Sequence, residues 1–300
     1  MSAMVEDVAK HAEPLRNEPM RRHTSWRVGG PADLFYEPSS VTELQAILAS
    51  LPRGAPLLWV GLGSNLLVRD GGLRGAVIAT GALPRELERL EDGGVRAGAG
   101  LPCALLARQC VRWQLGPAVF FAGIPGSVGG ALAMNAGAFG GETWTHVERV
   151  ATIDRAGKLH ERVRDEYTVG YRSVHGPANE WFLSATFALA HDATTTGGLK
   201  AMLARRNATQ PLGSPSCGSV FRNPPGDHAG RLIESAGLKG ARIGGAVVSE
   251  KHANFIINDG DATAADIEQL IELVRTEVEK AAGVRLELEV RVVGEPGGAR

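Results

Sequence analysis

The sequence has little cysteine and almost no net charge. Three cysteines cannot build a disulfide framework, because one of them would always be left over, and this favours a reducing compartment. The 32 lysines and arginines nearly balance the 33 aspartates and glutamates, so bulk charge does not attract the chain to nucleic acid or to an anionic membrane. Neither is expected as a partner, and any polyanionic ligand must be held by a local site.

Segments typical of targeting and of membrane insertion are also missing. The first twenty residues contain six charged side chains and no apolar core, which argues against a signal peptide and a transit peptide. Residues 113–141 carry no charge and are long enough for a spanning helix, but eight glycines and two prolines give them a poor helix propensity. We therefore expect a soluble, cytoplasmic protein.

The motifs of several common enzyme classes are absent. No glycine-rich loop ends in Gly-Lys-Ser or Gly-Lys-Thr, which excludes a P-loop, and residues 214–219 lack the Gly-x-Ser-x-Gly elbow of hydrolases. None of the eight histidines has metal-ligand spacing from another histidine or from a cysteine, so no metal site is expected.

The three cysteines are interpreted from their positions in the sequence. Cys103 and Cys110 lie seven residues apart on a predicted helix, which is too far for a disulfide, so we interpret them as core thiols. Cys217 lies in a polar turn and is interpreted as an incidental loop cysteine, with a reactive thiol as the alternative.

Glycine, in contrast, is abundant, with 39 in 300 residues against an average of about 7%. Nineteen of them lie in the segment Gly54–Gly141. The loop Gly61–Asn65 follows a predicted strand, and its two glycines allow backbone amides to converge on an anion. Leu66 stands where the dinucleotide-binding fingerprint requires a third glycine, so this is not a Rossmann loop.

A second glycine loop, Gly123–Gly130, leads into a short predicted helix at Ala131–Met134. Such a loop can place a helix N-terminus against a phosphate, where the helix dipole adds to the N–H donors. The two loops together indicate a pyrophosphate that is held mainly by backbone. The alternative is that these glycines only allow tight turns and close packing.

The remaining pattern predicts an α+β chain with mixed sheets. Ser40 and Glu43 have capping-box spacing at the start of one helix, and Thr263 and Asp266 mark the start of a long helix near the C-terminus. A linker is predicted at Thr194–Gly198, before a helix and a smaller αβ domain. Strands are predicted at Leu57–Val60, Ala76–Ala79, Val147–Ile153, Leu159–Val163, Trp181–Leu189 and Val284–Val293.

Seven short segments occur in an order that is highly specific. They are His23–Ala32, Gly61–Val68, Ala122–Gly130, Asn135–Ala138, Cys217–Pro224, Lys251–Phe255 and Glu289–Gly294. Through these segments the sequence resembles the UDP-N-acetylenolpyruvoylglucosamine reductase family, from residue 23 to about residue 295.

The resemblance implies both a fold and a reaction. The fold is α+β, with an FAD-binding fold of the vanillyl-alcohol-oxidase-like (PCMH-type) family in two subdomains, 1–85 and 86–195, and a C-terminal αβ substrate domain, 196–300. The implied reaction reduces the enolpyruvyl ether of UDP-N-acetylglucosamine-enolpyruvate to UDP-N-acetylmuramate in peptidoglycan precursor synthesis. FAD is the implied cofactor and NADPH the implied reductant. The oligomeric state is not determined, and a monomer is compatible with the sequence.

The resemblance also implies roles for individual residues. Ser219 would donate the proton, Arg172 would stabilise charge on the substrate carboxylate, and Glu289 would donate to the same group. Cofactor contacts are expected from Arg27, Gly61, Gly63, Ser64, Asn65, Leu66, Gly123, Ile124, Gly126, Ser127, Gly129 and Gly130. Substrate contacts are expected from Tyr171, Arg222, Asn223, Lys239 and Lys251. A side chain at Gly63 or Gly126 is expected to weaken flavin binding before it weakens folding.

Each catalytic assignment has a structural alternative. Arg172 could instead pair with Glu166 near the surface. Glu289 could be a solvent-facing strand residue like Glu287, and Ser219 could only cap a turn. The basic residues of the C-terminal part form either a solvated face or a cradle for a diphosphate, and they are Arg205, Arg206, Arg222, Arg231, Lys239, Arg242 and Lys251.

Two positions depart from the family pattern, and two other functions stay open. Val174 stands where members often have serine, which leaves the immediate support of Arg172 open, and Arg222 stands where many have lysine, which keeps the positive charge. One rival function is another FAD oxidase or dehydrogenase of the same fold, against which the C-terminal segments argue. The other is a non-catalytic UDP-sugar-binding protein.

Overall fold

In the computed structural model, which describes residues 13–192 and 196–298, the chain divides into two units. Unit 1 comprises Leu34–Leu62 and Gly75–Ala204, together with the N-terminal residues up to Arg16. Unit 2 comprises Asn17–Asp33, Gly63–Arg74 and Arg205–Arg300. The division at residues 85 and 195 follows from the resemblance and stays a prediction.

The described residues combine helices with mostly short strands, which confirms the α+β class. The strands are β1 (Leu15–Pro19), β2 (Pro31–Tyr36), β3 (Leu57–Val60), β4 (Leu66–Val68), β5 (Leu73–Ala79), β6 (Leu87–Arg89), β7 (Val95–Gly98), β8 (Leu115–Gly116), β9 (Gly137–Ala138), β10 (Gly141–Glu142), β11 (Val147–Asp154), β12 (Leu159–Val163), β13 (Thr168–Gly170), β14 (Ser173–His175), β15 (Glu180–Phe187), β16 (Ala190–His191), β17 (Arg242–Ile243), β18 (Ala246–Val248), β19 (Ile256–Asn258) and β20 (Arg291–Val293). The helices are α1 (Val41–Ser50), α2 (Cys103–Arg112), α3 (Val128–Met134), α4 (Thr196–Thr209), α5 (Ala229–Ser235) and α6 (Ala264–Ala282). The strand orders are β1-β2-β5-β3, β12-β11-β15-β7-β6 and β17-β18-β19, and the two-stranded pairs are β10-β9, β13-β14, β16-β8 and β20-β4.

Helix α1 of unit 1 begins where its sequence predicts. The Ser40 hydroxyl accepts a hydrogen bond of 3.1 Å from the Glu43 N–H, which satisfies one of the amides that a helix start leaves unpaired. The Glu43 carboxylate binds Ser39 instead of closing the predicted capping box, because it accepts hydrogen bonds of 2.8 Å from the N–H and from the hydroxyl of that residue. The apolar face of α1, including Leu44, is buried in a core with Ile78.

Strands β3 and β5 of unit 1 confirm two predicted strands. They pair in parallel, with Leu57 opposite Ala76 and Val60 opposite Ala79. Since Gly61 follows β3 directly, the first glycine loop begins at the carboxyl end of a strand in a sheet.

The larger sheet of unit 1 is antiparallel where its registers are given, and its strands β11, β12 and β15 correspond to the three strands predicted at 147–189. The side chain of Asp154 closes the turn between β11 and β12, because it accepts hydrogen bonds from the N–H groups of Ala156 and Lys158 at 2.8 and 3.0 Å. Phe187 of this sheet and Leu106 of α2 are fully buried in one apolar core. Sheet and helix are therefore held together by apolar burial, as their alternating and helical patterns predict.

The uncharged stretch 113–141 is folded into several short elements of unit 1. It contains β8, a single 3-10 turn at Val119–Gly123, helix α3 and strand β9. Phe120 and Phe121 are buried there, with ring centroids 4.2 Å apart. Over the ranges 13–192 and 196–298, no helix combines the length and the apolar composition needed to cross a bilayer.

Helix α4 begins inside the predicted linker Thr194–Gly198. Thr194 and Thr195 lie outside the described residues, and Thr196 is already the first residue of α4. The linker prediction is therefore wrong from Thr196 onward. The helix predicted after it is confirmed, and its Leu199 is buried in the core of unit 1.

Helix α6 of unit 2 also begins as predicted. The Thr263 hydroxyl accepts a hydrogen bond of 3.1 Å from the Asp266 N–H, and the Asp266 carboxylate accepts one of 2.9 Å from the Thr263 N–H. Each side chain thus satisfies a backbone amide of the other, which is a complete capping box. The buried face of α6 consists of Ala264, Ile267, Leu270, Ile271, Val274 and Val278.

The predicted strand Val284–Val293 is wrong over most of its length, because only its last three residues form a strand, β20. β20 pairs in parallel with β4. The residues before β20 bond to a different segment: the Arg222 N–H donates to the Glu287 carbonyl at 2.8 Å, and the Glu289 N–H donates to the Val220 carbonyl at 2.9 Å. Since the segment changes partners within a few residues, no continuous ladder forms.

Asp70 caps α6 from a distant part of the unit 2 sequence. Its carboxylate oxygens accept hydrogen bonds from the N–H groups of Ala264 at 3.1 Å and Ala265 at 2.9 Å. We expect Asp70→Ala to lower the free energy of unfolding by about 1–2 kcal/mol, since it removes two acceptors and a negative charge from the helix N-terminus. Urea unfolding measures the change. The control Asp261→Ala removes a nearby exposed charge and should cost less than about 0.5 kcal/mol; equal losses would contradict a role for the hydrogen bonds.

Candidate functional site

Gly61 lies against the second glycine loop within unit 1. A Cβ atom added to Gly61 would lie 2.5 Å from Ser127 Oγ, so a side chain fits there only if Ser127 moves. Ser127 is buried and caps α3, because its hydroxyl accepts a hydrogen bond of 3.3 Å from the Gly130 N–H. The two loops predicted to bind the cofactor therefore meet at Gly61 and Ser127.

Backbone hydrogen bonds fix the loop Gly123–Gly130. The N–H groups of Val128 and Gly129 donate at 2.8 and 2.9 Å to carbonyls of the neighbouring segment 99–101. These two amides and that of Gly130 thus have acceptors within the protein. The prediction that the start of α3 offers its amides to a phosphate is therefore wrong for these three, because Ser127 and segment 99–101 already satisfy them.

This loop instead offers a bound group close access to its backbone. Gly130 is exposed, and a Cβ there would meet only Ser127 Oγ within 4 Å, at 3.7 Å. Gly123 is different, because a Cβ there would lie 2.7 Å from the Phe139 ring, so packing requires this glycine. An uncovered glycine backbone beside a hydroxyl fits the FAD that the sequence implies, since a diphosphate or a flat ring can approach it without a clash.

The other residues of this loop are tied to the core of unit 1. Ile124 is buried there, and the Gly126 carbonyl accepts a hydrogen bond of 2.9 Å from the Cys103 N–H at the start of α2. Cys103 and Cys110 are free thiols in the same core. Their burial in this core confirms their interpretation as core thiols, and it raises the pKa of each thiol to about 12.

Arg172 stands in the two-residue turn between β13 and β14, in the left-handed region at φ +52°. Its Nη1 donates to the Asn135 carbonyl at 3.4 Å, and its Nη2 donates to the Gly137 carbonyl at 3.1 Å. The guanidinium carbon lies 5.1 Å from the ring centre of the exposed Tyr171. The turn therefore brings the predicted catalytic cation and the predicted substrate contact Tyr171 together on unit 1.

The structure of this hairpin bears on two points from the sequence analysis. These are the alternative pairing of Arg172 with Glu166 and the support of Arg172 where Val174 stands in place of serine. Glu166 forms an ion pair of 3.1 Å with Arg162, so the structure does not support a pairing of Glu166 with Arg172. Val174 pairs with Val169 across the hairpin, and both pack against the core of unit 1. Apolar packing thus supports the turn at the position where other members often have serine.

In unit 2, Ser219, Glu289 and Asn65 lie on three neighbouring backbone segments. The Glu289 N–H donates at 2.9 Å to the carbonyl of Val220, which follows Ser219 in the chain. Asn65 Nδ2 donates to the Glu289 carbonyl at 3.1 Å, and the Arg291 N–H donates to the Asn65 carbonyl at 3.1 Å. Two predicted catalytic residues and one predicted cofactor residue are therefore neighbours in unit 2.

Buried Asn254 fixes the segment that carries Ser219, a role that the sequence reasoning did not assign. Its side chain accepts a hydrogen bond of 3.0 Å from the Phe221 N–H and donates one of 2.8 Å to the Phe221 carbonyl. Its own carbonyl accepts a hydrogen bond of 2.9 Å from the Val220 N–H. The only available signal was its place in the family segment Lys251–Phe255.

Glu289 and Glu287 have different surroundings. Glu289 is half-buried, whereas the Glu287 side chain is 79% exposed and lies 3.9 Å from the guanidinium of Arg222. Glu289 is therefore not a solvent-facing strand residue like Glu287, which was the alternative interpretation. Asn223, next to Arg222, accepts a hydrogen bond of 3.1 Å from the Ala229 N–H at the start of α5.

The two predicted substrate lysines bond to nearby protein groups. Lys239 forms an ion pair of 2.6 Å with Glu234, and Lys251 donates a hydrogen bond of 2.5 Å to the Asn207 carbonyl. Other basic residues of this unit also form pairs, namely Arg231 with Asp227 and Arg242 with Asp259. This pattern favours a solvated face for most of the basic residues. In the described part of the chain, no group of three or more His, Cys, Asp or Glu side chains could hold a metal ion.

Gly63 is required by the fold of unit 2. It has φ +62°, and an added Cβ would overlap the carbonyl oxygen of His23. The Ser25 N–H also donates to the Gly63 carbonyl at 3.1 Å. A side chain at Gly63 would therefore disturb folding first, which corrects the expectation that flavin affinity would fall before folding. For Gly126 that expectation stays a prediction.

The other cofactor residues predicted in unit 2 differ in exposure. Arg27 is exposed in the left-handed region at φ +58°, and Ser64 is half-buried. Leu66 is buried in β4.

Cys217 lies outside helix and strand, as predicted, but it is buried in the core of unit 2, which argues against the alternative of a reactive thiol. Its Sγ lies 3.5 Å from the Leu66 carbonyl and 3.7 Å from the Gly63 carbonyl, and the residue is 3% exposed. Burial raises the pKa of this thiol to about 12. Its polar sequence neighbours gave no sign of this, because the apolar groups around it come from distant segments.

We expect the three cysteines to resist thiol reagents in the native protein at pH 8. Because burial raises each pKa to about 12, only about one thiol in 10⁴ is ionised at that pH. Titration with a chromogenic disulfide should find no fast-reacting thiol before unfolding and all three in denaturant. A fast-reacting thiol in the native protein would contradict the burial of these side chains.

Two protein-family models match the chain. A model described as FAD binding domain matches residues 32–162, and a model described as the C-terminal domain of UDP-N-acetylenolpyruvoylglucosamine reductase matches residues 210–293. The first range contains both glycine loops, and the second contains Ser219 and Glu289.

Similarity to known proteins extends over nearly the whole chain. The chain is 60% identical over 281 residues to the UDP-N-acetylenolpyruvoylglucosamine reductase of Alkalilimnicola ehrlichii. The matched region covers 93% of this chain and 94% of that protein. The chain is also 56% identical over 297 residues to the reductase of the same name from Methylococcus capsulatus. That match covers 97% of this chain and 98% of the matched protein. The crystal structure of UDP-N-acetylenolpyruvylglucosamine reductase (MurB) from Thermus caldophilus matches with a TM-score of 0.79 and 34% identity, covering 91% of this chain and 97% of that one. The chain therefore belongs to the UDP-N-acetylenolpyruvoylglucosamine reductase family.

Proposed function

We propose that this chain is an FAD-dependent reductase that converts UDP-N-acetylglucosamine-enolpyruvate to UDP-N-acetylmuramate, with NADPH as reductant, in cytoplasmic peptidoglycan precursor synthesis. The family and its two domain matches support this reaction. The structural observation that carries it is the close arrangement of Ser219, Glu289 and Asn65 in unit 2, in which two proposed catalytic residues neighbour a proposed cofactor residue.

The reaction sets two tasks for the side chains. FAD, when bound, supplies the hydride that adds to C3 of the enolpyruvyl group. This addition leaves negative charge at C2, which spreads into the adjacent carboxylate, and C2 must then receive a proton. The protein must therefore stabilise an enolate-like group and deliver one proton to carbon.

Ser219 is the proposed proton donor to C2. Its O–H bond breaks as the new C2–H bond forms, and water returns a proton to the serine oxygen afterwards. A hydroxyl is a weak acid, but the charged C2 centre is a strong base, so the transfer is favourable. The hydrogen bonds of Asn254 to Val220 and Phe221 fix the backbone next to Ser219, which limits the movement of its hydroxyl.

Arg172 and Glu289 are the proposed partners of the substrate carboxylate. The planar guanidinium of Arg172 suits a carboxylate because it can form two parallel, charge-assisted hydrogen bonds. Glu289 in its protonated form would donate a further hydrogen bond to the same group as the charge grows. Both interactions strengthen as negative charge develops, which is the condition for stabilising a transition state.

The residues proposed to contact FAD are those that the sequence analysis names for this role. In unit 1 these are the glycine loop residues Gly61, Gly123, Ile124, Gly126, Ser127, Gly129 and Gly130. In unit 2 they are Arg27, Gly63, Ser64, Asn65 and Leu66. Tyr171, Arg222, Asn223, Lys239 and Lys251 remain proposed substrate contacts, and binding at either lysine would compete with the protein contact that each makes.

We expect the purified protein to be yellow from bound FAD and to oxidise NADPH only when the enolpyruvyl UDP-sugar is present. Absorbance at 340 nm follows NADPH, and chromatography identifies UDP-N-acetylmuramate. Oxidation of NADPH that depends only on oxygen would favour an oxidase of the same fold. Protein that binds the UDP-sugar but neither holds FAD nor turns over would favour a binding protein instead.

A further inference from the structure

A buried asparagine, Asn135, lies at the base of the hairpin that carries Arg172. It ends helix α3 in the left-handed region at φ +47°, and it is 2% exposed. Its Nδ2 donates to the Gly170 carbonyl at 3.1 Å and to Glu142 Oε2 at 2.9 Å, and its Oδ1 accepts a hydrogen bond of 3.0 Å from the Trp144 N–H. One side chain thus bonds to three residues in two separate segments of unit 1.

These bonds reach the Arg172 turn from both ends. Gly170 is the last residue of β13, so the bond from Asn135 Nδ2 holds the turn where it begins. The Asn135 carbonyl accepts from Arg172 Nη1, so the same residue also orients the guanidinium where the turn ends. The Gly137 carbonyl, two residues further on, accepts from Nη2.

The end of a helix does not by itself explain this side chain. A left-handed residue at this position needs only a backbone that tolerates positive φ, and glycine serves that purpose best. A buried amide is costly unless its groups are bonded, so an asparagine with three bonds here contributes something that glycine lacks. The bonds it adds all lead to the hairpin of Arg172 or to the segment 142–144 beside it.

We propose that Asn135 is a positioning residue for the reduction, which holds the Tyr171–Arg172 turn so that the guanidinium keeps one orientation. The inference rests on the proposed role of Arg172 at the substrate carboxylate. A charge-stabilising group loses much of its effect when it can rotate, because its orientation must then be fixed during the reaction. The amide of Asn135 and the carbonyls of Asn135 and Gly137 supply that order before substrate binds.

The test is Asn135→Gly, which removes the amide and keeps a backbone suited to positive φ. We expect kcat for product formation to fall about 10–100-fold, with FAD content and the rate of flavin reduction by NADPH unchanged. The matched control is Asn179→Gly, at φ +58° on an exposed loop of the same unit, and its kcat should equal that of the wild type. Full activity of Asn135→Gly would overturn the inference.

A double-mutant cycle with Arg172→Gly separates positioning from general support of the fold. If Asn135 acts through Arg172, adding Asn135→Gly to Arg172→Gly should change kcat less than about twofold. The same 10–100-fold loss in both backgrounds would overturn the inference and leave the role of Arg172 standing. Wild-type kcat in Arg172→Gly alone would overturn the proposed role of Arg172 and this inference with it. If Asn135→Gly does not fold, Asn135→Asp, which keeps the acceptor for Trp144 and loses the donor to Gly170, is judged by the same criteria.

Discussion

Replacing Ser219 with alanine should stop product formation while leaving flavin reduction by NADPH intact. The proton for C2 comes from this hydroxyl in the proposed mechanism, and loss of a positioned proton donor costs about 10²–10⁴-fold in rate. Flavin reduction needs no such proton, so rapid mixing of the variant with NADPH should bleach the flavin at the wild-type rate. Mixing the reduced variant with the enolpyruvyl UDP-sugar should then show the loss.

Two further variants test whether the loss of activity comes from the missing proton donor. Ser216→Ala removes a half-buried hydroxyl from the same segment and should leave both half-reactions unchanged. Ser219→Cys should retain more activity than Ser219→Ala, because a thiol, with an ordinary pKa of about 8.5, can still donate a proton. Equal losses in both half-reactions of Ser219→Ala would show that Ser219 supports the structure or the cofactor rather than the proton transfer.

Arg172→Gly should lower the activity strongly while leaving the stability of the protein almost unchanged. An arginine at φ +52° carries a backbone cost of about 1–2 kcal/mol that glycine avoids, which offsets the loss of two hydrogen bonds to carbonyls. We therefore expect the free energy of unfolding to stay within about 1 kcal/mol of the wild type. The kcat of the reductase should nevertheless fall about 10²–10³-fold, as for the loss of a group that stabilises developing charge.

Thermal unfolding and steady-state kinetics on the same preparations measure both quantities. Asn179→Gly is again the matched control, since it makes the same backbone change without touching the hairpin. A large loss of stability with kcat retained in the folded fraction would identify Arg172 as a structural residue. In that case its positive φ would need another explanation.

Local signals in the sequence predicted the elements that depend on local contacts. The start of α6 was predicted because Thr263 and Asp266 satisfy each other's amides within four residues. The strands of the sheet β12-β11-β15 were predicted because their alternation and the turn at Asp154 are also local. These features need no knowledge of distant segments.

Several of the errors concern contacts between segments that are far apart in sequence. Residues 284–290 read as a strand, but their partners lie at Val220 and Arg222, and the partner of β20 lies at β4. The burial of Cys217 depends on apolar groups from several distant segments, and no local pattern contains that information. The sequence indicated only a cofactor role for Gly63, whereas a Cβ atom added to it would meet the carbonyl oxygen of His23 first.

The sequence named the chemical groups of the candidate site, but it did not name the residues that hold those groups in place. Ser219, Arg172 and Glu289 were named through the resemblance, and Ser219 and Glu289 lie in two of the seven segments whose order is specific. Asn135 and Asn254 were not assigned roles, since an asparagine in a motif carries no sign of which carbonyl or amide it will bond. For Asn135 a partial signal existed, because asparagine after a short helix is typical of a left-handed helix end.

The most direct test of the whole account is a single-turnover experiment without oxygen. The enzyme with bound FAD is reduced by one equivalent of NADPH and then mixed with the enolpyruvyl UDP-sugar. The account predicts that the flavin absorbance returns at a rate at least equal to kcat and that one UDP-N-acetylmuramate forms per FAD. Flavin that stays reduced until air is admitted, with no product formed, would contradict it.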